Sequence, residues 1–231
     1  MNNAFFVTGT NTEVGKTVAS QALLQALAAQ GWTTCGYKPV AAGCDKSEQG
    51  YLNDDALSLQ RHSTCRLPYH EVNPYALEIP ASPHISAHRA QEVIELQRLT
   101  QGLQTLSEKA DWVLVEGAGG WHVPLNDSYC FSDWVAEVKL PVVLVVGVQL
   151  GCLNHALLTQ QAILAQGLTL AGWIANRINP GSEYYQENLQ YLERTMKAPK
   201  LGEIPYLSRE KRADLSPYID NLAPLVGRYM K

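Results

Sequence analysis

No C-x-x-C pair occurs among the five cysteines of this chain, and the spacing of Cys35, Cys44, Cys65, Cys130 and Cys152 supports neither a disulfide framework nor a zinc site. His84 and His88 stand at helical i, i+4 spacing. The segment has no H-E-x-x-H glutamate and begins at Pro83, so they read as surface histidines rather than metal ligands. A run of charge of one sign is missing too. The 18 Lys and Arg face 22 Asp and Glu, for a net charge of −4, without the basic run that would neutralise a row of phosphates. Nucleic acid is therefore not expected as the main ligand. No stretch approaches the roughly 18 consecutive apolar residues of a membrane span. The opening MNNAFFVTGTNTEVGKT has neither the basic n-region nor the apolar h-region of a secretory signal. A cytoplasmic protein with no membrane association is expected. Pro-, Ser- or Gly-rich linkers are absent, so residues 1–231 are expected to form a single domain.

What is present is apolar material, 46% of the chain against 17% charged residues, enough for one substantial core. It comes in short runs that alternate with helix-like segments, which predicts an α/β fold with a mostly parallel central sheet covered by helices on both faces. Strands are expected at residues 4–8, 33–37, 112–115, 141–146, 170–175 and 201–204. Residues 16–30 and 153–166 carry apolar side chains at three- and four-residue spacing and stop at Gly31 and Gly167, which predicts helices. Residues 42–85, rich in Gly, Asn, Pro and Ser, predict long loops around a short helix near 54–61. In an open α/β sheet the ligand crevice lies beyond the carboxyl ends of the strands. Every motif below falls at such an end.

The first motif, GTNTEVGKT at residues 9–17, follows a strand and opens a helix, as a P-loop requires. Glycine lets the loop wrap with its N–H groups inward, and the helix N-terminus adds partial positive charge, so a polyphosphate can be held. Lys16 would reach the β/γ-phosphates and the Thr17 hydroxyl would serve magnesium. The strict G-x-x-x-x-G-K-[ST] pattern needs glycine at position 10; this chain has Thr10, with Gly9 just before it. A second motif, ADWVLVEGAGG, delivers Glu116 from a buried strand into a glycine turn, where a P-loop protein places an acid for magnesium. Asp55 in NDDAL is another candidate, with a helix-cap role equally compatible with the pattern. Lys38, in GYKPV, ends the second strand and is either a charge-stabilising group for phosphoryl transfer or a surface lysine. Finally, Asn176 and Arg177 precede Ile178-Asn179 where a GTPase carries N-K-x-D. Without that aspartate the segment suits adenine, with Asn176 as its reader.

Together these segments resemble the dethiobiotin synthetase family: VTGTNTEVGKTVAS, GYKPVAAG, NDDALSLQ, NPYALEIPASPH, ADWVLVEGAGGW, LPVVLVVGVQLGCLNHALLT, GLTLAGWIAN and LGEIPYL span nearly the whole chain. The resemblance implies a three-layer P-loop NTPase-like fold and a magnesium-dependent cyclo-ligase. Such an enzyme uses ATP and CO2 to close the ureido ring on 7,8-diaminononanoate through a carbamate and a carbamic–phosphoric anhydride. It further implies that Glu13, Val14, Gly15, Lys16, Thr17 and Val18 cradle the phosphates, and that Thr17, Asp55 and Glu116 hold Mg2+. Lys38 would be catalytic beside Lys16 and Thr12, with Gly117, Ala118 and Gly119 on the substrate and phosphate side. Asn176, Arg177, Pro205, Tyr206 and Leu207 would form the base pocket. Gly151, Cys152, Leu153 and Asn154 would receive the substrate carboxylate across a homodimer interface. Where this family often has serine the chain has Ala42, which lacks a hydroxyl for the diamine. The stretch SREKRADLSPYID matches loosely, and no residue is carried over beyond Leu207. A ParA/MinD-like ATPase switch is the rival reading. It would need a lysine five residues before the P-loop lysine, where this chain has Asn11.

Overall fold

The structure, a computed structural model, describes residues 3–208 and 213–227. The first two residues of the N-terminal run, and positions 209–212 of the loosely matching C-terminal stretch, lie outside the described residues. Residues 228–231 do as well.

Six strands form one parallel sheet: β1 (Ala4–Gly9), β2 (Thr34–Tyr37), β7 (Trp112–Glu116), β8 (Val142–Gly147), β9 (Leu170–Asn176) and β10 (Lys200–Ile204), in the order β10-β9-β8-β1-β7-β2. The first five are the near-continuous apolar runs that a sheet covered on both faces demands, and most of their residues are buried. Each of the six expected strands is present, with ends shifted by a residue or so. Helices cover the sheet, and the buried apolar side chains from Ala4 to Val226 form one connected cluster.

Two helices arise where expected. α1 (Lys16–Ala29) follows Gly15, which turns at φ 84°, and stops before Gly31 at φ 87°. α7 (Cys152–Ala165) follows Gly151 at φ 90° and stops before Gly167 at φ 73°. Positive φ suits glycine because it has no Cβ to collide with the backbone.

Residues 42–85 depart from the loop reading. The short helix is there as α2 (Asp54–His62). Around it lie β3 (Val40–Ala42), a hairpin of β4 (Asp45–Ser47) and β5 (Gly50–Leu52), α3 (Tyr69–Val72), β6 (Tyr75–Leu77) and α4 (Pro83–Arg89). Three-residue strands are shorter than the window in which alternation can be recognised. β3 exists because it pairs in parallel with β6, a partner more than thirty residues away. α5 (Leu96–Ser107), α6 (Phe131–Val138), α8 (Tyr185–Thr195) and α9 (Ala223–Val226) complete the helices of the described residues.

The topology positions the site. The order in which strands are added reverses about β1: β7 lies on one side of it and β8 on the other, with β2 beyond β7. That is a switch point, and the crevice beyond the carboxyl end of β1 holds residues 9–16. α2 is clamped to β2 at Gly36, where an added Cβ would stand 2.7 Å from the Leu59 Cβ and 3.2 Å from its carbonyl oxygen. Helix and strand therefore cannot keep their spacing around any larger residue. Gly36→Ala should cost about 1–3 kcal/mol, the usual range for overpacking, with the loss read from urea unfolding midpoints at unchanged m-value.

Candidate functional site

The P-loop closes on itself through sterics and backbone bonds. The Thr10 N–H donates to the Val145 carbonyl at 3.1 Å, tying the loop to β8. Gly9 stands where the strict motif has its glycine one place later, and its position explains the shift. A Cβ there would meet the Val14 Cγ2 at 2.6 Å and the Asn11 carbonyl at 2.9 Å. Glu13 takes φ 60° and Gly15 φ 84°, so two residues of the loop turn through left-handed backbone. The Asn176 side chain packs on this turn: its Nδ2 donates to the Val14 carbonyl at 2.9 Å. It stands 2.0 Å from where a Gly15 Cβ would lie. Lys16 Nζ donates to the Asn11 carbonyl at 3.3 Å, folded back onto the loop.

Beneath the loop, four side chains from four different elements meet. Lys38 Nζ donates to Glu116 Oε1 at 2.7 Å, to Asp55 Oδ2 at 3.3 Å and to the Gly117 carbonyl at 3.0 Å. The Thr17 hydroxyl lies 2.7 Å from Asp55 Oδ1 and 3.1 Å from Glu116 Oε1. Lys38 and Glu116 are almost wholly buried, with 4% and 0% of their side chains exposed, whereas Asp55 keeps 43% and faces the cavity. Asp55 is not the cap of α2. That role falls to Asn53, whose Oδ1 accepts from the Asp55 and Ala56 N–H groups at 3.1 and 3.3 Å. Asp55, in the first turn, is thereby freed to point at Thr17 and Lys38.

The electrostatics follow from this packing. Burial by itself would lower the Lys38 pKa, but Glu116 and Asp55, through charge and hydrogen bonds, carry it above the ordinary lysine value. Burial would raise Asp55, and Lys38 and Thr17 hold it below the usual carboxylate range instead. Lys16 has no such close acid. Burial, reinforced by the neighbouring charge of Lys38, brings it down to about 8 against weaker upward pulls from Glu116 and Asp55. The second Glu116 oxygen, Oε2, is buried with no hydrogen-bond partner. An unpaired buried carboxylate oxygen is costly, and it belongs to the carboxylate whose other oxygen, Oε1, lies 3.1 Å from the Thr17 hydroxyl. The set consists of oxygen donors only, which fits a hard cation such as Mg2+ and not a thiophilic one.

These groups open into a cavity of about 1440 Å³. Of the residues expected at the site, Thr12, Glu13, Gly15, Lys16, Thr17 and Val18 line it from the P-loop side, and Lys38, Ala42, Asp55, Ala118 and Gly119 line the rest. Val14, Glu116 and Gly117 do not line it and join the site through the contacts above. The cavity lining does not include Asn176, Arg177, Pro205, Tyr206 or Leu207; these group instead around the ends of β9 and β10, where the Arg177 N–H donates to the Ile204 carbonyl. Arg177 stacks on the Tyr185 ring at 4.9 Å, a contact with no sequence signal. Gly151, Cys152, Leu153 and Asn154, at the start of α7, stay away from the cavity of their own chain. The sequence reading missed Pro80, Ala81, Ser82, Pro83 and Val123, which also line the cavity, as do residues of α2 such as Leu57, Ser58 and Arg61. Only the unassigned ASPH of NPYALEIPASPH hinted at any of them. His84 and His88 belong to α4, and the described residues contain no cluster of three or more side chains able to hold a metal through His, Cys, Asp and Glu. No helix of the described residues is long and apolar enough to cross a membrane.

Comparison with known proteins agrees with this picture. A family model described as an AAA domain matches residues 3–213. The chain is similar to the ATP-dependent dethiobiotin synthetase BioD of Vibrio parahaemolyticus, at 58% identity over 98% of this chain and 99% of that protein. It is also similar to BioD 1 of Escherichia coli O157:H7, at 54% identity over 97% of this chain and 100% of that protein. Among solved structures, MinD of Pyrococcus horikoshii with Mg-ADP superimposes with a TM-score of 0.60 over 99% of this chain and 89% of that chain, at 16% identity. A ParA family ATPase of Chlorobium tepidum gives 0.57 over 99% and 93%, at 14% identity. Likenesses at such low identity establish a shared P-loop NTPase fold and nothing finer, whereas near-full-length identity above half makes this chain a member of the dethiobiotin synthetase family.

Proposed function

We propose that this chain is an ATP-dependent ligase that closes the ureido ring of dethiobiotin on 7,8-diaminononanoate and CO2, releasing ADP and phosphate. One observation carries the reading: Thr17, Lys38, Asp55 and Glu116 converge beneath the P-loop, at the floor of a cavity large enough for a nucleotide and a second substrate.

Thr17, Asp55 and Glu116 would hold Mg2+, which when bound supplies positive charge to the phosphate oxygens. Everything else falls to the protein. The backbone N–H groups of residues 13–18 and the N-terminus of α1 bind the phosphates. Lys16 swings from the Asn11 carbonyl to the β/γ-phosphates. One amine of the substrate takes up CO2 as a carbamate, and a carbamate oxygen attacks the γ-phosphorus as ADP leaves. The second amine then attacks the carbamoyl carbon and displaces phosphate. Lys38, with Thr12 and Lys16, stabilises the charge that builds in these steps. Lys38 is held in place by two acids and a carbonyl, so it stands ready beside the phosphates and reaches the reacting groups by releasing one of these partners. No side-chain nucleophile is required, in keeping with phosphoryl transfer as positioning and charge stabilisation.

Asn176, Arg177, Pro205, Tyr206 and Leu207 are assigned to the base, Gly117, Ala118 and Gly119 to the substrate side, and Ala42 to the diamine side, where it offers only its methyl group. The carboxylate of the substrate is assigned to Gly151, Cys152, Leu153 and Asn154 of a neighbouring copy in a homodimer. That they do not line the cavity of their own chain, and that Leu150 beside them is fully exposed, supports this. The single buried cluster from Ala4 to Val226 supports the reading of one domain; the cytoplasm is assigned as the place of work from the family reading alone.

Purified protein with Mg-ATP and bicarbonate should release phosphate only when 7,8-diaminononanoate is present; release indifferent to the diamine would sink the assignment. In the same assay Lys38→Ala should lose about 10²–10³-fold in rate while ATP still binds, measured by calorimetry, and near-normal turnover would remove Lys38 from the mechanism. Lys16 adds a pH signature. With a pKa of about 8 in the free protein, it is charged below that pH and neutral above it. Phosphate binds the charged form, so ATP affinity should be highest below pH 8 and fall up to about tenfold per unit above it. Lys16→Gln should bind more weakly and without that slope.

A further inference from the structure

The main chain of Lys38 is gripped as tightly as its side chain. Its N–H donates to the Val72 carbonyl at 2.8 Å. Its carbonyl, just past the end of β2, accepts from Asn73 Nδ2 at 2.7 Å. Asn73 is buried, with 3% exposed, and the same nitrogen donates to the Tyr75 carbonyl at 3.1 Å. Both its donors are therefore spent on backbone. Its Oδ1 accepts from the Tyr69 hydroxyl at 2.9 Å, and that hydroxyl in turn accepts from the Asn53 N–H at 2.7 Å. Asn53 is the cap that starts α2 and aims Asp55. A continuous chain of hydrogen bonds thus runs from the backbone of one site residue to the helix start of the other, through Tyr69 and Asn73, neither of which lines the cavity.

We propose that Tyr69 and Asn73 are positioning residues for the ligase reaction, fixing the separation between Lys38 and Asp55 from behind the cavity wall. Burial pushes the Tyr69 hydroxyl up to about 12, so it stays a donor at working pH. Each link of the relay is made, through the Asn53 N–H, the Tyr69 hydroxyl and both Asn73 side-chain atoms, and a satisfied buried network rigidifies what it joins. Removing the Tyr69 oxygen leaves the Asn73 Oδ1 and the Asn53 N–H without partners at once.

The proposal rests on the ligase reading, and its test separates the two. Wild type, Tyr69→Phe, Asn73→Ala and the double variant are compared for diamine-dependent phosphate release, ATP affinity and thermal melting. Each single variant should lose about tenfold in kcat, the scale of one buried hydrogen bond, with ATP affinity unchanged. The double variant should be no slower than the poorer single, because bonds in series fail together. Wild-type kcat in Tyr69→Phe, or losses that add and track melting temperature and ATP affinity, would overturn it. A readout independent of turnover is the ¹⁵Nζ resonance of Lys38, identified by its disappearance in Lys38→Arg. It should shift and exchange faster in Tyr69→Phe, a variant that keeps the ring and its packing, and an unmoved signal would overturn the proposal. A wild type whose phosphate release ignores the diamine defeats the ligase reading alone, and the resonance still decides the positioning role.

Discussion

Lys38 carries a positive charge into a place almost without water. It stays charged there because Glu116 at 2.7 Å, Asp55 at 3.3 Å and the Gly117 carbonyl at 3.0 Å replace the water it lost. Removing one partner of such a buried pair typically costs about 3–5 kcal/mol, since the other charge is left uncompensated. The cluster therefore constrains everything that delivers it. β2 must end at Tyr37, β7 must end at Glu116, and α2 must start at Asn53, each within hydrogen-bond reach of the others.

That constraint explains the order of the sheet. β7 lies between β1 and β2, so the ends of three adjacent strands present the P-loop, Glu116 and Lys38 side by side. The cavity these ends open into extends past the P-loop, and residues 80–83 and Ala42 line it as well.

The two lysines of the site illustrate how local surroundings divide labour. Lys38 is saturated by acids and rises above the ordinary value, while Lys16 lacks a close acid, feels Lys38, and falls to about 8. One is a fixed feature of the scaffold. The other, resting on the Asn11 carbonyl at 3.3 Å, is a loosely held charge ready for a phosphate.

Much of this was legible in the amino-acid sequence. The apolar runs determined the strands and the glycines the ends of α1 and α7, because periodicity and backbone freedom are local properties. The same holds for the P-loop, whose function lies in consecutive backbone N–H groups. Position alone left Lys38 and Asp55 ambiguous, because whether a lysine is buried against an acid depends on a residue 78 positions away. Nor could spacing show Asn53 taking the cap of α2 and releasing Asp55, or Gly9 doing the work of the missing Gly at position 10. The short strands within 42–85 and the Asn53–Tyr69–Asn73 relay were equally invisible, since two or three hydrogen bonds leave no periodic trace. The sequence by itself determined the fold, the phosphate loop and the family. Only the tertiary structure decided which charges meet, because a buried charge is tolerable only opposite a partner that folding brings from elsewhere in the chain.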